Sequence, residues 1–481
     1  MKHALVAALL AAALCAWGGG AGCATAPAPT KSPAFVDLPN EQRAFLDSLE
    51  LRTFNFFWEQ SDSLTGLSPD RWPTKSFVSI AAVGFALTAY PIGAERGYVP
   101  RTAAARRTLA TLDWLLQAPQ NDSPSNATGY KGLFYHFLVP ETGLRFQDVE
   151  LSTQDTALLL AGVLFAGTYF DRPSSDEARI SAAAESLYAR ADWRWASPRA
   201  PLIGHGWDPK NGFLEWDWRG WNETAILHVL ALGSPTHPVE PQAWREYVAG
   251  YQWGTFQGQS YLGFAPLFGH QYSHVWIDFR GIRDSSMTAH GLDYFENSRR
   301  ATLAQRSYAI ANPGKFKGYG EGLWGLTACD GPTDSVVTID GRKVEFHTYS
   351  ARGACFTRIE DDGTVAPTAA GASVPFAPEV AVPALRAMRL KYGPALYRKY
   401  GFIDALNPSV PDLLPVHMGA VVPHVGWFDH DYLGIDQGPI LAMIENYRSG
   451  LVWKTMRRNP HIKRGLERAG FTGGWLAEKA K

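Results

Sequence analysis

SIAAVGFALTAY, residues 79–90, is the clearest structural signal in the chain because it is nearly all apolar over the length of a helix. A helix that is apolar on every side is buried on every side, either in the core of a large protein or in a membrane. No segment after the N-terminus is long and apolar enough for a membrane helix. The run therefore predicts a helix in the core of a large domain.

Helical patterns recur along most of the chain. Thr102–Leu116, Leu151–Phe170 and Ser174–Tyr188 repeat the pattern, and an earlier helix is indicated by the spacing of Phe45, Leu46, Leu49, Phe54, Phe57 and Trp58. Later helical segments are Ile226–Leu230, Ala243–Gln252, Thr288–Ala311, Val380–Tyr392 and Pro439–Arg448. Roughly a dozen helices, many of them apolar all round, indicate paired inner and outer helices. We predict an all-α fold, an (α/α)6 toroid over residues 38–465 whose loops build the site at one end of the ring.

One region departs from the helical pattern. Val336–Ile339 and Val344–His347 are β-rich and flank Asp340-Gly341, which is a signal for a hairpin turn. We interpret residues 331–370 as a small β-rich insertion, and we predict loops between the other helices. No internal repeat is visible, which disfavours a solenoid or a propeller.

The N-terminus has the pattern of an export signal over residues 1–23. Lys2 and His3 precede the apolar run Ala4–Trp17, and Gly20-Ala21-Gly22-Cys23 is similar to a bacterial lipoprotein cleavage box with Gly20 where Leu is usual. Lipidation at Cys23 and simple secretion both remain open. We predict a flexible spacer over residues 24–37, a C-terminal tail over residues 466–481, and a location in the periplasm or on the outer membrane through a lipid anchor.

The composition excludes some partners. A net charge of −1 over 481 residues argues against nucleic acid, which requires a clustered basic face. Aromatic residues make up 13% of the chain, which fits a protein that handles an uncharged, hydroxyl-rich ligand and also fits a large core. We expect a monomer whose only membrane contact is the lipid anchor. Cys329 and Cys355 form either one disulfide or two buried thiols, and the sequence leaves both open.

The run Trp216–Glu223, WDWRGWNE, combines three indoles, two carboxyls and a guanidinium just before an apolar helical segment. An aromatic face stacks on the C–H face of a sugar, and carboxylates bind hydroxyls or cleave glycosidic bonds. Similar clusters of aromatic and acidic residues recur at Asp148–Ala157, His274–Arg280, Gly318–Pro332 and Trp427–Pro439. The clusters together predict a carbohydrate site.

These motifs resemble the bacterial endo-β-1,2-glucanases of glycoside hydrolase family 144, the "glucoamylase-like" proteins. The most specific segments are Glu150–Ala157, Trp221–Pro235, Phe268–Asp284, Gly318–Pro332 and Gly434–Pro439. The resemblance implies an (α/α)6 toroid without a cofactor or metal, and inverting hydrolysis of β-1,2-glucan to short oligosaccharides. An exo-acting, sophorose-releasing enzyme and a non-catalytic glucan-binding protein of the same fold are the alternatives.

The resemblance places the general acid at Glu223. If Asn222 caps the following helix, Glu223 lies in the first turn, where the helix dipole favours its anion. Burial against Trp218 and Trp221 would then be needed to keep it protonated. We predict Asp436, in a loop that leads into a helix, as the base. Glu150 is the third catalytic candidate, through a bound hydroxyl or a water chain.

The remaining candidates are predicted to bind substrate. Asp278 and Arg280 hold a sugar hydroxyl or pair with each other, and each aromatic candidate is either a stacking platform or part of the core. The His270 and His274 pair has the spacing of a helix-borne metal site, but we predict hydrogen bonding for both. The predicted substrate-binding residues are Asp148, Trp218, Trp221, Asp278, Arg280, Tyr294, Glu321, Trp324 and Trp427.

Overall fold

Helices form the framework of the structure, a computed structural model that describes residues 32–478. Residues from Pro33 onward belong to one unit of the chain. The α-helices of the described part are α1 Asn40–Gln60, α2 Ile80–Glu95, α3 Arg101–Gln117, α4 Thr153–Tyr169, α5 Ser175–Arg190, α6 Ala225–Gly233, α7 Gln242–Ala249, α8 Tyr272–Trp276, α9 Ser285–Ala289, α10 Tyr294–Ala311, α11 Pro367–Gly371, α12 Pro378–Tyr392, α13 Gly434–Arg448, α14 Leu451–Met456 and α15 Pro460–Arg468. None of them is long and apolar enough to cross a membrane.

The inner helices are those that are apolar all round. Helix α2 is buried from Ile80 to Gly93, and it packs between α4 on one side and α13 on the other. The inner ring continues from α4 through α6 and α8, and α11 packs on α13. Helices α1, α3, α5, α10, α12 and α15 lie outside it. The predicted (α/α)6 toroid is confirmed.

Glycine permits the closest approach in the inner ring. A Cβ atom on Gly162 of α4 would lie 2.0 Å from the carbonyl oxygen of Gly84 on α2, and a Cβ on Gly84 would lie 2.4 Å from the carbonyl oxygen of Leu158. Both distances are far below van der Waals contact, so a larger residue would push the two helices apart.

Short strands join the helices. They are β1 Arg71–Trp72, β2 Val78–Ser79, β3 Gly129–Tyr130, β4 Leu133–Tyr135, β5 Phe137–Leu138, β6 Leu151–Ser152, β7 Gly206–Asp208, β8 Gly212–Phe213, β9 Trp253–Phe256, β10 Gln259–Leu262, β11 Ala328–Asp330, β12 Ser335–Ile339, β13 Arg342–Phe346, β14 Tyr349–Ala351, β15 Gly353–Ala354, β16 Ile359–Glu360, β17 Tyr397–Arg398, β18 Gly401–Phe402, β19 Leu406–Asn407, β20 Ala420–Val422, β21 Gly426–Phe428 and β22 Tyr432–Leu433. The predicted hairpin is confirmed as β12 and β13, joined by Asp340 and Gly341 at φ 48° and 77°, the positive values that a type I′ turn requires.

The prediction of loops between the other helices was wrong. Strands β3, β4, β6, β7 and β8 form a five-stranded antiparallel sheet that leads directly into α4. Most of the strands outside the hairpin have two or three residues, too few for an alternating pattern to show in the sequence.

Several predicted boundaries differ from the structure. The helix predicted over 288–311 is divided, because Gly291 turns the chain at φ 67° and Asp293 caps α10. Helix α13 begins at Gly434, five positions before the predicted Pro439. Helix α15 runs to Arg468, and Phe471 and Trp475 of the predicted tail are buried.

Other predictions fall outside the described residues. The export signal over 1–23, the lipidation site Cys23, spacer residues 24–31 and tail residues 479–481 lie there. Within the described part, Cys329 and Cys355 are both free and buried, so the two-thiol alternative is correct.

Candidate active site

A cavity of about 290 Å³ opens at the N-terminal ends of the inner helices. Asp155 lies in the first turn of α4, Glu223 just before α6, Tyr272 at the start of α8 and Asp436 in the first turn of α13. These helix ends carry partial positive charge, which favours anions near them. The full lining is His136, Glu150, Ser152, Gln154, Asp155, Leu158, His205, Leu214, Trp218, Glu223, Phe268, Tyr272, Ala328, Tyr349, Leu433, Ile435 and Asp436.

Glu223 precedes its helix instead of lying within it. Helix α6 begins at Ala225 after the N-cap position Thr224, and Asn222 accepts the Thr224 backbone N–H at 3.0 Å. The condition that Asn222 caps the helix, which would have put Glu223 in the first turn, is therefore not met. The backbone carbonyl of Glu223 accepts hydrogen bonds from Ser273 Oγ at 2.7 Å and Gln154 Nε2 at 3.3 Å, which hold the residue in place.

Burial in the cavity wall raises the pKa of the Glu223 carboxyl to about 7, and the negative charge of Asp155 acts in the same direction. The carboxyl can therefore hold its proton near neutral pH, which a general acid requires. Trp218 lines the same cavity, with its Nε1 donating to Thr153 Oγ1 at 2.9 Å. Trp221 does not line this cavity.

Asp436 is buried, with 2% of its surface exposed, in the first turn of α13. The prediction that Asp436 lies in the loop before the helix was wrong, because the helix begins at Gly434 and not at Pro439. Burial raises the pKa of Asp436 to about 7, whereas a hydrogen bond with Asp404 acts to lower it. The backbone carbonyl of Asp436 accepts from Thr368 Oγ1 at 3.1 Å.

Glu150 lies opposite a histidine that sequence reasoning missed. His136 Nδ1 is 2.8 Å from Glu150 Oε1, and His136 Nε2 is 3.5 Å from Asp155 Oδ2. Burial acts to lower the pKa of His136, but the charges of Asp155 and Glu150 raise it to about 9. Burial likewise acts to raise the pKa of Glu150, but the hydrogen bond and charge of His136 hold it below its usual value. Glu150 is therefore an ionised carboxylate beside an imidazolium.

A second histidine was also missed. His205 stacks on Trp218 with ring centroids 3.7 Å apart, and both rings line the cavity. Neither His136 nor His205 belongs to a motif with a recognisable spacing. His136 meets Glu150 beside the pairing of β4 with β6, and His205 meets Trp218 beside the bridge between Gly204 and Asp217. No signal in the sequence alone identifies them.

Four aromatic residues that were predicted as stacking platforms are enclosed in the core. Trp221 stacks on Tyr294 with centroids 4.8 Å apart, and its Nε1 donates to His270 at 3.0 Å. Tyr294 and Trp324 each have no exposed surface, and the same is true of Trp427, whose Nε1 donates to the Met418 carbonyl. Their roles in substrate binding are corrected, because a buried ring has no face free for a sugar.

The predicted charged candidates also lie away from the cavity. Asp278 is buried and binds both Arg280 and Arg457, which makes the ion-pair alternative the correct one. Asp148 and Glu321 are exposed, and they pair with Lys210 at 2.7 Å and Arg306 at 3.0 Å. None of them lines the cavity, and for the exposed Asp148 and Glu321 a role in substrate binding stays a prediction.

Behind Asp436 lies a group of buried aspartates. Within the described residues, Asp330, Asp404 and Asp429 can each offer an oxygen within 4.8 Å of the others. Arg71 already binds Asp330 at 2.7 Å, and the Asp330 backbone N–H binds Asp404 at 2.7 Å. Because a guanidinium supplies the positive charge here, we assign no metal to these residues.

The chain is similar to known proteins over most of its length. Residues 215–460 match the family model described as "Putative glucoamylase". A solved structure of a putative glucoamylase from Bacteroides uniformis is 30% identical, with a TM-score of 0.76, and the match covers 93% of this chain and 100% of that one. The chain belongs to this family. The resemblance predicted from the motifs is thereby confirmed.

Two further relatives carry specific activities in their names. One is an exo β-1,2-glucooligosaccharide sophorohydrolase (non-reducing end) from Parabacteroides distasonis, 27% identical over 91% of this chain. The match spans 59% of that protein's length. The other is the structure of an endo-β-1,2-glucanase from Chitinophaga pinensis with sophorotriose and glucose, which is 26% identical with a TM-score of 0.76 and covers 90% of this chain and 99% of that one.

The interaction of His136 with Glu150 and Asp155 predicts that the free energy of unfolding falls as the pH rises. The pKa of His136 rises from 6.5 to about 9, so its charge stabilises the fold fully below about pH 6.5 and that contribution is lost as the pH rises through 9. His136→Gln should lower the free energy of unfolding by on the order of 1 kcal/mol at pH 6 and by less at pH 9.5. Denaturant titrations at the two pH values measure this difference.

His424→Gln is the matched control, because the His424 side chain is 90% exposed and solvent screens its interactions. A loss of stability in His136→Gln that is equal at both pH values would contradict the charged state of His136.

Proposed function

We propose that the protein is a glycoside hydrolase that cleaves β-1,2-glucan internally to short oligosaccharides. The observation that carries the proposal is that Glu223, Asp436 and Glu150 line one cavity at the mouth of an (α/α)6 toroid. The names of the Chitinophaga and Parabacteroides relatives support the β-1,2 linkage. The proposal requires no cofactor.

The cavity offers the two kinds of carboxyl that inverting hydrolysis needs. Glu223 can hold its proton near neutral pH and deliver it to the leaving oxygen. Asp436 accepts a proton from the attacking water, favoured as an anion by the N-terminus of α13. Glu150, ionised beside His136, binds a sugar hydroxyl or orders the water. Trp218 and His205 form an aromatic wall for a sugar face.

Exo action is the second candidate, because the Parabacteroides relative is named for the release of sophorose units from the non-reducing end. Endo action requires a binding cleft that is open at both ends, so that the glucan chain can continue past the cleaved disaccharide unit on either side. Exo action requires a cleft that is closed at one end. A glucan-binding protein without catalysis is disfavoured, since all three carboxyls line the cavity and the pKa of Glu223 is raised.

The proposed activity predicts a specific product profile. Purified protein given linear β-1,2-, β-1,3-, β-1,4- and α-1,4-glucans should degrade only the first, and an early mixture of oligosaccharide lengths indicates endo action. Sophorose as the sole early product would support the exo alternative. Optical rotation or NMR should show the α-anomer first, since inversion of a β-linkage produces it. Cleavage of only the other glucans would refute the linkage.

Glu223→Gln should abolish turnover while oligosaccharide binding survives. The amide keeps the shape of the protonated acid but has no proton to deliver, so kcat should fall by at least on the order of 10²–10⁴-fold. Rates on β-1,2-glucan and calorimetric binding of a short oligosaccharide measure the two effects. Glu467→Gln, which changes an exposed residue of α15 outside the cavity, is the control. Activity within a few-fold of wild type would remove Glu223 from the acid role.

We also propose that the protein is exported and acts in the periplasm or from a lipid anchor at Cys23. Lys2, the apolar run Ala4–Trp17 and the small residues before Cys23 support this. Cell fractionation with mass spectrometry of the mature N-terminus tests it. A lipid-modified N-terminal cysteine is expected for the anchored form, a cleaved N-terminus without lipid is expected for secretion, and an intact Met1 would contradict export.

A further inference from the structure

A second buried aspartate stands directly behind Asp436. Asp404 lies between β18 and β19 with 2% of its surface exposed, and its backbone N–H donates to the Asp431 carbonyl at 2.9 Å. Asp404 Oδ2 accepts the backbone N–H of Asp330 at 2.7 Å. Backbone bonds on both sides thus fix the position and the orientation of the Asp404 carboxyl.

The other oxygen of Asp404 has no conventional donor. Asp404 Oδ1 and Asp436 Oδ2 are both buried, and no described group donates a hydrogen bond to either atom. The two carboxyls interact, since Asp436 acts to raise the pKa of Asp404 and Asp404 acts to lower that of Asp436. Two ionised carboxylates only accept hydrogen bonds, so the two unpartnered oxygens are satisfied together only if one carboxyl is protonated and donates to the other.

The surroundings determine which of the two acids keeps the proton. Charged and titratable groups close to Asp404 and Asp436 are Asp70, Arg71, Cys329, Asp330, Asp429, Asp431, Tyr272 and Tyr349. Asp404 is enclosed among aspartates, whereas Asp436 faces the cavity from the first turn of α13. The helix N-terminus favours the anion at Asp436, and buried like charges disfavour it at Asp404.

We propose that Asp404 is a positioning residue that stays protonated and donates a hydrogen bond to the Asp436 carboxylate. The bond holds Asp436 as an anion and turns its free oxygen toward the attacking water. This inference deepens the proposed function and depends on it for its kinetic consequences. Asp404 itself does not line the cavity, so it acts through Asp436.

Infrared spectroscopy tests the proton without any substrate. The difference spectrum between wild type and Asp404→Asn at pH 7 should contain a protonated carboxyl band that is present only in wild type. Glu177→Gln is the control, because Glu177 is a buried acid that binds Arg101 on the outer wall. Absence of the band from wild type would overturn the proposal even if the protein cleaves none of the glucans, so the two failures are distinguishable.

Kinetics test the positioning role. Asp404→Asn still offers an N–H donor to Asp436. Its kcat should therefore stay within about tenfold of the wild-type value, and the acidic limb of its pH profile of kcat should not move. Asp404→Leu removes the donor, so the limb should move up by about one pH unit and kcat at pH 6 should fall by at least tenfold, with KM little changed. Thermal melting checks that both variants fold.

A folded Leu variant with the wild-type pH profile would overturn the proposal. Equal losses in the Asn and Leu variants with no movement of the acidic limb would also overturn it, because they would mean a purely structural role. If the Leu variant does not fold, Asp404→Ala takes its place, and the infrared band decides the question from the Asn variant alone.

Discussion

The close packing of the inner helices is the constraint on which the site depends. Gly84 and Gly162 let α2 and α4 approach until backbone meets backbone, and α13 packs against the other side of α2. The ring thereby brings the N-terminal ends of α4 and α13 to one cavity. Catalytic side chains on these first turns inherit the rigidity of the core, because any shift would require the helices to separate.

Several carboxyls lie close together in the cavity, and their negative charges would repel each other if all were ionised. Only some of them have a positively charged neighbour. On one side, His136 lies between Glu150 and Asp155 and supplies the charge that keeps Glu150 ionised. Glu223 has no such partner, and burial raises its pKa. Carboxyls of the same chemistry thus take different protonation states because their neighbours differ, which is what acid–base catalysis at one pH needs.

The sequence predicted the features that depend on local pattern. Continuous apolar runs predicted the inner helices α2 and α4, and the Asp340-Gly341 pair predicted the β12–β13 hairpin. Glu223, Asp436, Glu150 and Trp218 were proposed from motifs at helix starts, and all four line the cavity. Each of these motifs spans only a few consecutive residues, so it can be recognised in a single sequence.

What the sequence missed depends on contacts between distant segments. Trp221 and Trp218 belong to one motif, yet only Trp218 lines the cavity, because the indole of Trp221 packs against Tyr294 from α10. The local sequence makes Asp278 a candidate for binding a sugar hydroxyl, but in the fold it is paired with Arg457, which is distant in sequence. His136 becomes important only when the sheet places Glu150 beside it. The tertiary fold determines which side chains are buried and which of them pair. The residues around one position in the sequence do not show this.

The acid and the base must hold opposite protonation states at the same pH, although burial acts to raise the pKa of both Glu223 and Asp436. Burial alone would leave the productive combination at a minority of molecules on either side of neutrality. An asymmetry between the two residues is therefore required. It lies in their neighbours: the charge of Asp155 favours the proton on Glu223, whereas the helix start and the Asp404 hydrogen bond favour the anion at Asp436. The residues behind the cavity wall thus decide which carboxyl gives the proton and which receives it.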